Sequence, residues 1–157
     1  MKFFFKQLLV VIANSFKGKD YLFDGDDKVF KKVTRNVDYY GEYGMGKSTI
    51  WIHNNTQVKK IFTVDTSKVW IEKVQNDVDY SDKLVAEWID LGSLKKWGTP
   101  VDYSKRENIF NYVKSIWNYE HKPQVVLVDG RFRVACFLYS LATGESGTKI
   151  IRSEEHT

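Results

Sequence analysis

Asp38-Tyr39-Tyr40-Gly41-Glu42-Tyr43-Gly44-Met45-Gly46-Lys47-Ser48-Thr49 reads as a short strand, a glycine turn and the first turn of a helix. Glycine carries no Cβ and tolerates positive φ, so such a turn lets backbone N–H groups come within bonding distance of a ligand. The helix behind it adds unpaired N–H donors and a partial positive charge. The spacing Gly41-x-x-x-x-Gly46-Lys47-Ser48 matches a phosphate-binding P-loop letter for letter. Glu42-x-Gly44-x-Gly46 offers a second reading of the same residues, as a turn that floors a nucleoside site. The rest of the chain decides between them.

Upstream, Asp26-Asp27 ahead of Val29, Phe30 and Val33 predicts a short helix ending near 35–36, with acidic residues in its first turn. The strand then covers 37–41, and the helix after the turn runs from about 48 through Trp51 and Ile52 to 54–55. Ile61-Phe62-Thr63-Val64 is a second strand that ends on Asp65. A helix over 67–76 turns Trp70, Ile71 and Val74 inward, and a strand over 84–89 ends on Asp90. Trp97-Gly98-Thr99-Pro100 is a loop, punctuated by Gly and Pro. Ser104-x-x-Glu107 predicts a capping box, followed by Ile109, Tyr112, Val113, Ile116 and Trp117 on one helical face.

Val125-Val126-Leu127-Val128 is apolar on both faces, as a buried parallel strand should be, and leads into Asp129-Gly130. A helix over 131–141 packs Val134, Ala135, Phe137, Leu138 and Leu141 and stops at Gly144. Thr148-Lys149-Ile150-Ile151 begins a fifth strand. Strands alternating with helices give an α/β fold: three layers, with helices on both faces of a parallel sheet.

Composition narrows the function. At 157 residues the chain has one domain's worth of length and can bury a real core. Its net charge is +4, and the 24 Lys and Arg residues are dispersed rather than gathered on one element. This argues for solvated faces and against nucleic acid as a partner. A single cysteine, Cys136, excludes an intrachain disulfide and fits a reducing, cytoplasmic setting. No His or Cys group has zinc-ligand spacing. Near the N-terminus Leu8 to Ala13 form an apolar run of six residues, far short of the roughly 20 that span a bilayer, so no stable membrane insertion is expected. Phe5, Leu8, Leu9, Ile12 and Phe16 instead fall on one helical stripe, which suits a packing helix. At the other end, Arg152-Ser153-Glu154-Glu155-His156-Thr157 corresponds to the translation of a common sequencing-adapter read-through, AGA TCG GAA GAG CAC ACG. These residues are expected to be a non-native tail on a truncated product.

In the P-loop reading, Lys47 reaches the β- and γ-phosphates, Ser48 ligates Mg²⁺ and Asp129 holds the metal's water, as in an NTPase or kinase. Against it, the preceding strand is short and carries Asp38, and Glu42 puts a negative charge inside the phosphate cradle. The nucleoside reading gains from spacing, because Asp65 lies 19 residues beyond Gly46, where a carboxylate takes a ribose diol. Asp90 and Asp129 close two further strands at the same edge of the sheet.

Taken together, several blocks resemble class I S-adenosylmethionine-dependent methyltransferase-like proteins of Rossmann type. They are Glu42-Tyr43-Gly44-x-Gly46-x-Ser48-Thr49, Val64-Asp65, Trp97-Gly98-x-Pro100 and Val126-Leu127-Val128-Asp129-Gly130-Arg131-Phe132-Arg133-Val134-Ala135-Cys136. The resemblance runs over 26–151. It implies a Rossmann-like sheet lacking its last strands, with S-adenosylmethionine as cofactor. The turn residues Glu42, Tyr43, Gly44 and Gly46 would meet the methionine part, with Glu42 near its amino group. Ser48 and Thr49 would lie beside its carboxylate, although plain N-capping explains them as well. Asp65 would take the ribose and Asp90 would lie near the adenine, although a solvated strand end suits Asp90 equally. Asp129 would accept a proton from a hydroxyl acceptor. Arg131 and Arg133 would suit an anionic small-molecule or glycan acceptor. Two residues apart they do not share a helix face, so at most one is expected at the substrate and the other on a strand-end acid. Trp97 would wall the pocket or anchor the core. The expected organisation is a helical cap over 1–36, an incomplete cofactor-binding domain over 37–151 and the tail over 152–157. An inactive truncated fragment is the third possibility.

Overall fold

The computed structural model describes residues 22–23, 27–95 and 100–153. The expected helix over 5–16, the loop tryptophan Trp97 and residues 154–157 lie outside the described residues. In chain order the elements are α1 (Lys28–Thr34), β1 (Tyr39–Tyr43), α2 (Lys47–Asn55), β2 (Lys60–Asp65), α3 (Lys68–Asp77) and β3 (Leu84–Trp88). There follow α4 (Arg106–Lys114), a 3₁₀ turn (Ser115–Trp117), β4 (Val125–Val128), α5 (Arg133–Thr143) and β5 (Lys149–Arg152). Among the described residues no helix is long and apolar enough to cross a membrane.

All five strands are parallel, in the order β3-β2-β1-β4-β5. The chain starts at the centre, winds outward through β2 and β3, and then crosses back to lay β4 on the other side of β1. The loops leaving β1 and β4 therefore diverge to opposite faces and open a crevice at the carboxyl ends of these neighbours. Strand alternation builds the two cores. Tyr43, Phe62, Val64, Val126 and Val128 face Tyr112, Val113, Ile116, Trp117 and Cys136. On the opposite face Tyr40, Ile61, Val125, Leu127 and Ile151 meet Phe30 of α1 and Ile52 of α2. A smaller cluster of Met45, Ile71 and Val74 seats α3.

Five local expectations are corrected. β1 covers Tyr39–Tyr43 rather than 37–41, so Gly41 is a strand residue paired between Phe62 and Val126. It is small for a packing reason: a Cβ there would approach Pro123 to 2.8 Å and Ile116 to 2.9 Å. With Gly41 inside the sheet, the eight-residue phosphate loop does not form, and the turn is confined to Gly44-Met45-Gly46. Trp70 does not turn inward; it is 40% exposed and lies over that turn. The capping box ahead of α4 is absent, because Ser104 gives both its N–H (2.8 Å) and its hydroxyl (2.5 Å) to Asp102. Finally, α5 buries Cys136 and Ser140, leaving Val134, Leu138 and Leu141 at 59%, 57% and 48% exposure. Arg152, expected in the tail, closes β5.

Candidate functional site

The crevice at the carboxyl ends of β1, β2 and β4 is a cavity of about 510 Å³. The β1 turn forms its floor. Gly44 adopts φ +81°, the left-handed region that favours glycine, and its N–H donates to Val64 O at 2.9 Å. A Cβ on Gly44 would come within 2.6 Å of Gly130 Cα, and one on Gly130 within 2.2 Å of Tyr112 Oη. The two turns thus touch backbone to backbone, and Asp129 N–H donates to Tyr43 O at 3.0 Å to lock them. Gly46 differs. It is the N-cap of α2, its φ of 178° lies outside the left-handed region, and a Cβ there would meet only Trp70, at 3.9 Å.

Beneath the turn Glu42 is fully buried and faces α2. Ser48 Oγ donates to its Oε1, and Thr49 Oγ1 donates to its Oε2 at 2.7 Å. Thr49 Oγ1 in turn accepts the Gly46 N–H at 2.9 Å, so one hydroxyl ties the acid, the turn and the helix together. Burial pushes the Glu42 carboxyl up to about 8, against the pull of the two hydroxyl donors.

Asp65 closes β2 and faces the glycine turn. Its Oδ2 accepts the Met45 N–H at 3.3 Å and its Oδ1 the Ser67 N–H at 2.9 Å. Burial raises its carboxyl above the usual range, opposed by these backbone donors and by Arg131. Ser67 also caps α3, accepting the Trp70 N–H at 3.3 Å. The Trp70 indole donates to Met45 O at 2.5 Å and becomes a wall of the cavity. On the β4 side, Asp129 is held by Arg133 at 3.2 Å and by the Ser153 hydroxyl. Phe132, at φ +51°, turns the chain so that Arg131 lies in the cavity wall and Arg133 begins α5.

Of the residues singled out in the sequence, Gly44, Gly46, Ser48, Asp65, Asp129, Arg131 and Arg133 line this one cavity. Glu42 and Thr49 lie under its floor. Tyr43 points into the core, where its hydroxyl donates to Val113 O at 2.5 Å and accepts from the Trp117 indole at 3.1 Å. Asp90 is outside the cavity lining; it pairs with Lys105 and accepts the Gly92 N–H at 2.8 Å. Sequence reasoning passed over Thr66, Trp70 and Tyr112 as lining residues. In the sequence Trp70 and Tyr112 follow the same helical period as core aromatics, so no signal set them apart.

No protein-family model matches the sequence, and no curated protein does. The solved structure of a methyltransferase-like protein from Silicibacter pomeroyi superposes with a TM-score of 0.62 at 27% identity, over 72% of this chain. This chain spans 61% of that protein's length. The parallel sheet, the crevice at its winding reversal and this likeness agree: the chain has a methyltransferase-like α/β fold.

Proposed function

We propose that the cavity binds S-adenosylmethionine and that the chain is a methyltransferase acting on a small-molecule or glycan-type acceptor. The observation that carries this is Gly46. Its φ lies outside the left-handed region and no protein atom would crowd a Cβ, yet a glycine stands at the cavity floor as the N-cap of α2. A residue with no packing reason to be small leaves room for a ligand to approach the backbone. The volume suits a nucleoside-sized molecule, within the range of a few hundred to about 1,000 Å³ usual for such sites.

The residues present fit that cofactor. The first-turn N–H groups of α2 are donors for its carboxylate. Glu42, which accepts from the Ser48 and Thr49 hydroxyls beneath the floor, would stand near the cofactor's amino group, and Tyr43 fixes the strand beneath. Asp65 takes the ribose hydroxyls, and Asp90 fixes the loop near the adenine. When bound, the cofactor supplies an electrophilic methyl group. Displacement at that carbon depends on alignment, so the chain's task is to hold both reactants and shed water. Trp70 and Tyr112 shield the cavity. Arg133 braces Asp129, which takes the proton where the acceptor is a hydroxyl. Residues 37–151 form the cofactor-binding unit.

Thermal stabilisation by S-adenosylhomocysteine compared with Mg-ATP tests the reading, since a ligand that binds only the native state raises the melting temperature. Stabilisation by S-adenosylhomocysteine that is weakened in Asp65→Asn is the expected result. Stabilisation by Mg-ATP alone, lost in Lys47→Ala, overturns it.

A further inference from the structure

We propose that Arg131 and Arg133, two residues apart, have opposite duties: Arg133 is a structural tie, and Arg131 is the cavity's receptor for an anionic group, a carboxylate or phosphate. The guanidinium of Arg133 is spent on the chain itself. It donates to Gly130 O at 3.2 Å, to Ser153 O at 3.1 Å and to Asp129 Oδ1 at 3.2 Å, fastening the β4 turn to the end of β5. Arg131 is anchored only through its backbone. Its N–H donates to Tyr112 Oη at 3.1 Å, and its carbonyl accepts from Cys136 Sγ at 3.3 Å. The base of the side chain is thereby fixed, while its guanidinium lines the cavity with no hydrogen-bond or ion-pair partner among the described residues.

The acids nearby do not complete it. Asp129 is taken by Arg133 and Ser153, and Asp65 by two backbone N–H groups. Arg131 still acts on Asp65 through space, which places a permanent positive charge across the cavity from the β2 turn. A guanidinium cannot shed its proton in a protein, and its planar fork matches an anion, which it grips through two parallel N–H bonds. Lys47 at the rim adds charge of the same sign. Two sources share this chemistry: the carboxylate of the cofactor's methionine part and an acidic group on the acceptor. Only the choice between them rests on the cofactor reading above.

Titration calorimetry on the wild type, Arg131→Gln and Arg131→Lys distinguishes these outcomes. The probes are S-adenosylhomocysteine, 5′-methylthioadenosine (the same nucleoside without the amino acid) and inorganic pyrophosphate. A charged hydrogen-bonded pair makes the expected loss in Arg131→Gln about tenfold or more in affinity. Loss for S-adenosylhomocysteine with 5′-methylthioadenosine unchanged assigns the anion to the cofactor. Loss for pyrophosphate on the S-adenosylhomocysteine-loaded protein, with both nucleosides unchanged, assigns it to the acceptor. Pyrophosphate binding through Arg131 in a protein that binds neither nucleoside supports the inference and sinks the cofactor reading. Equal affinities of wild type and Arg131→Gln for all three probes overturn the inference, as does a wild type that binds none of them. Should Arg131→Gln fail to fold, Arg131→Lys reads the same comparison, because it keeps the charge and loses the fork.

Discussion

Replacing Glu42 with glutamine removes a fully buried carboxyl from under the cavity floor. In the unfolded chain its carboxyl titrates near 4.5, and in the fold burial moves it to about 8. Between these values the native state holds a proton that the unfolded chain has given up, so stability falls as pH rises. The contribution is complete below pH 4.5 and is lost on the way to about pH 8. At about 1.4 kcal/mol per unit, the interval from pH 5.5 to pH 8 corresponds to about 3 kcal/mol. Glutamine keeps one acceptor for the Ser48 and Thr49 hydroxyls, and the other hydroxyl rotates to accept from the new amide. Urea unfolding at pH 5.5, 7 and 8 reads the difference. The two proteins should agree within about 1 kcal/mol at pH 5.5, with Glu42→Gln the more stable by about 3 kcal/mol at pH 8. Parallel curves for the two proteins across that range would refute the buried, proton-holding Glu42.

Gly130→Ala drives a Cβ to 2.2 Å from Tyr112 Oη and 2.7 Å from Gly44 N. It should cost about 1–3 kcal/mol in urea unfolding and weaken ligand binding through the displaced turn. Leu138→Glu on the exposed side of α5 should change stability by no more than about 0.5 kcal/mol, whereas Ile116→Ala, 1% exposed in the core, should cost about 2–5 kcal/mol. Burial pushes the Cys136 thiol up to about 12, so iodoacetamide at pH 8 should label the native protein far more slowly than the urea-unfolded chain.

The order of strands and helices was legible because it rests on patterns that tertiary packing does not reverse. Val125 to Val128 is apolar at every position and is buried on both faces, and the run from Ile61 to Val64, with Thr63 its single hydroxyl, is buried as well. Asp65 at the end of β2 and Gly44 at the end of β1 follow from that order. What was misread depended on contacts between distant residues. Gly41 looked like a turn residue; it is a strand glycine because Pro123 and Ile116 press against β1. Glu42 looked like part of the turn; it lies inside β1, and its carboxyl is accommodated there because two hydroxyls from α2 meet it. α5 is apolar nearly all the way round, so its period fixes a helix without saying which side is buried. The Ser104 cap lost to a shorter-range bond with Asp102, the usual competition between side chains and helix ends. That one of Arg131 and Arg133 would pair with a strand-end acid was legible from their spacing, but nothing in the sequence marked Arg133 as the one that spends its donors on the chain.

The account turns on the empty space at Gly46, and calorimetry of S-adenosylhomocysteine binding to wild type and Gly46→Ala probes it most directly. With only Trp70 at 3.9 Å from a Cβ at Gly46, alanine should cost no more than about 1 kcal/mol in urea unfolding, the N-cap preference for glycine. It should nevertheless weaken S-adenosylhomocysteine by about tenfold or more, because the added methyl occupies the ligand's approach to the turn. Equal affinity in the two proteins, or a wild type that S-adenosylhomocysteine does not bind, would contradict it.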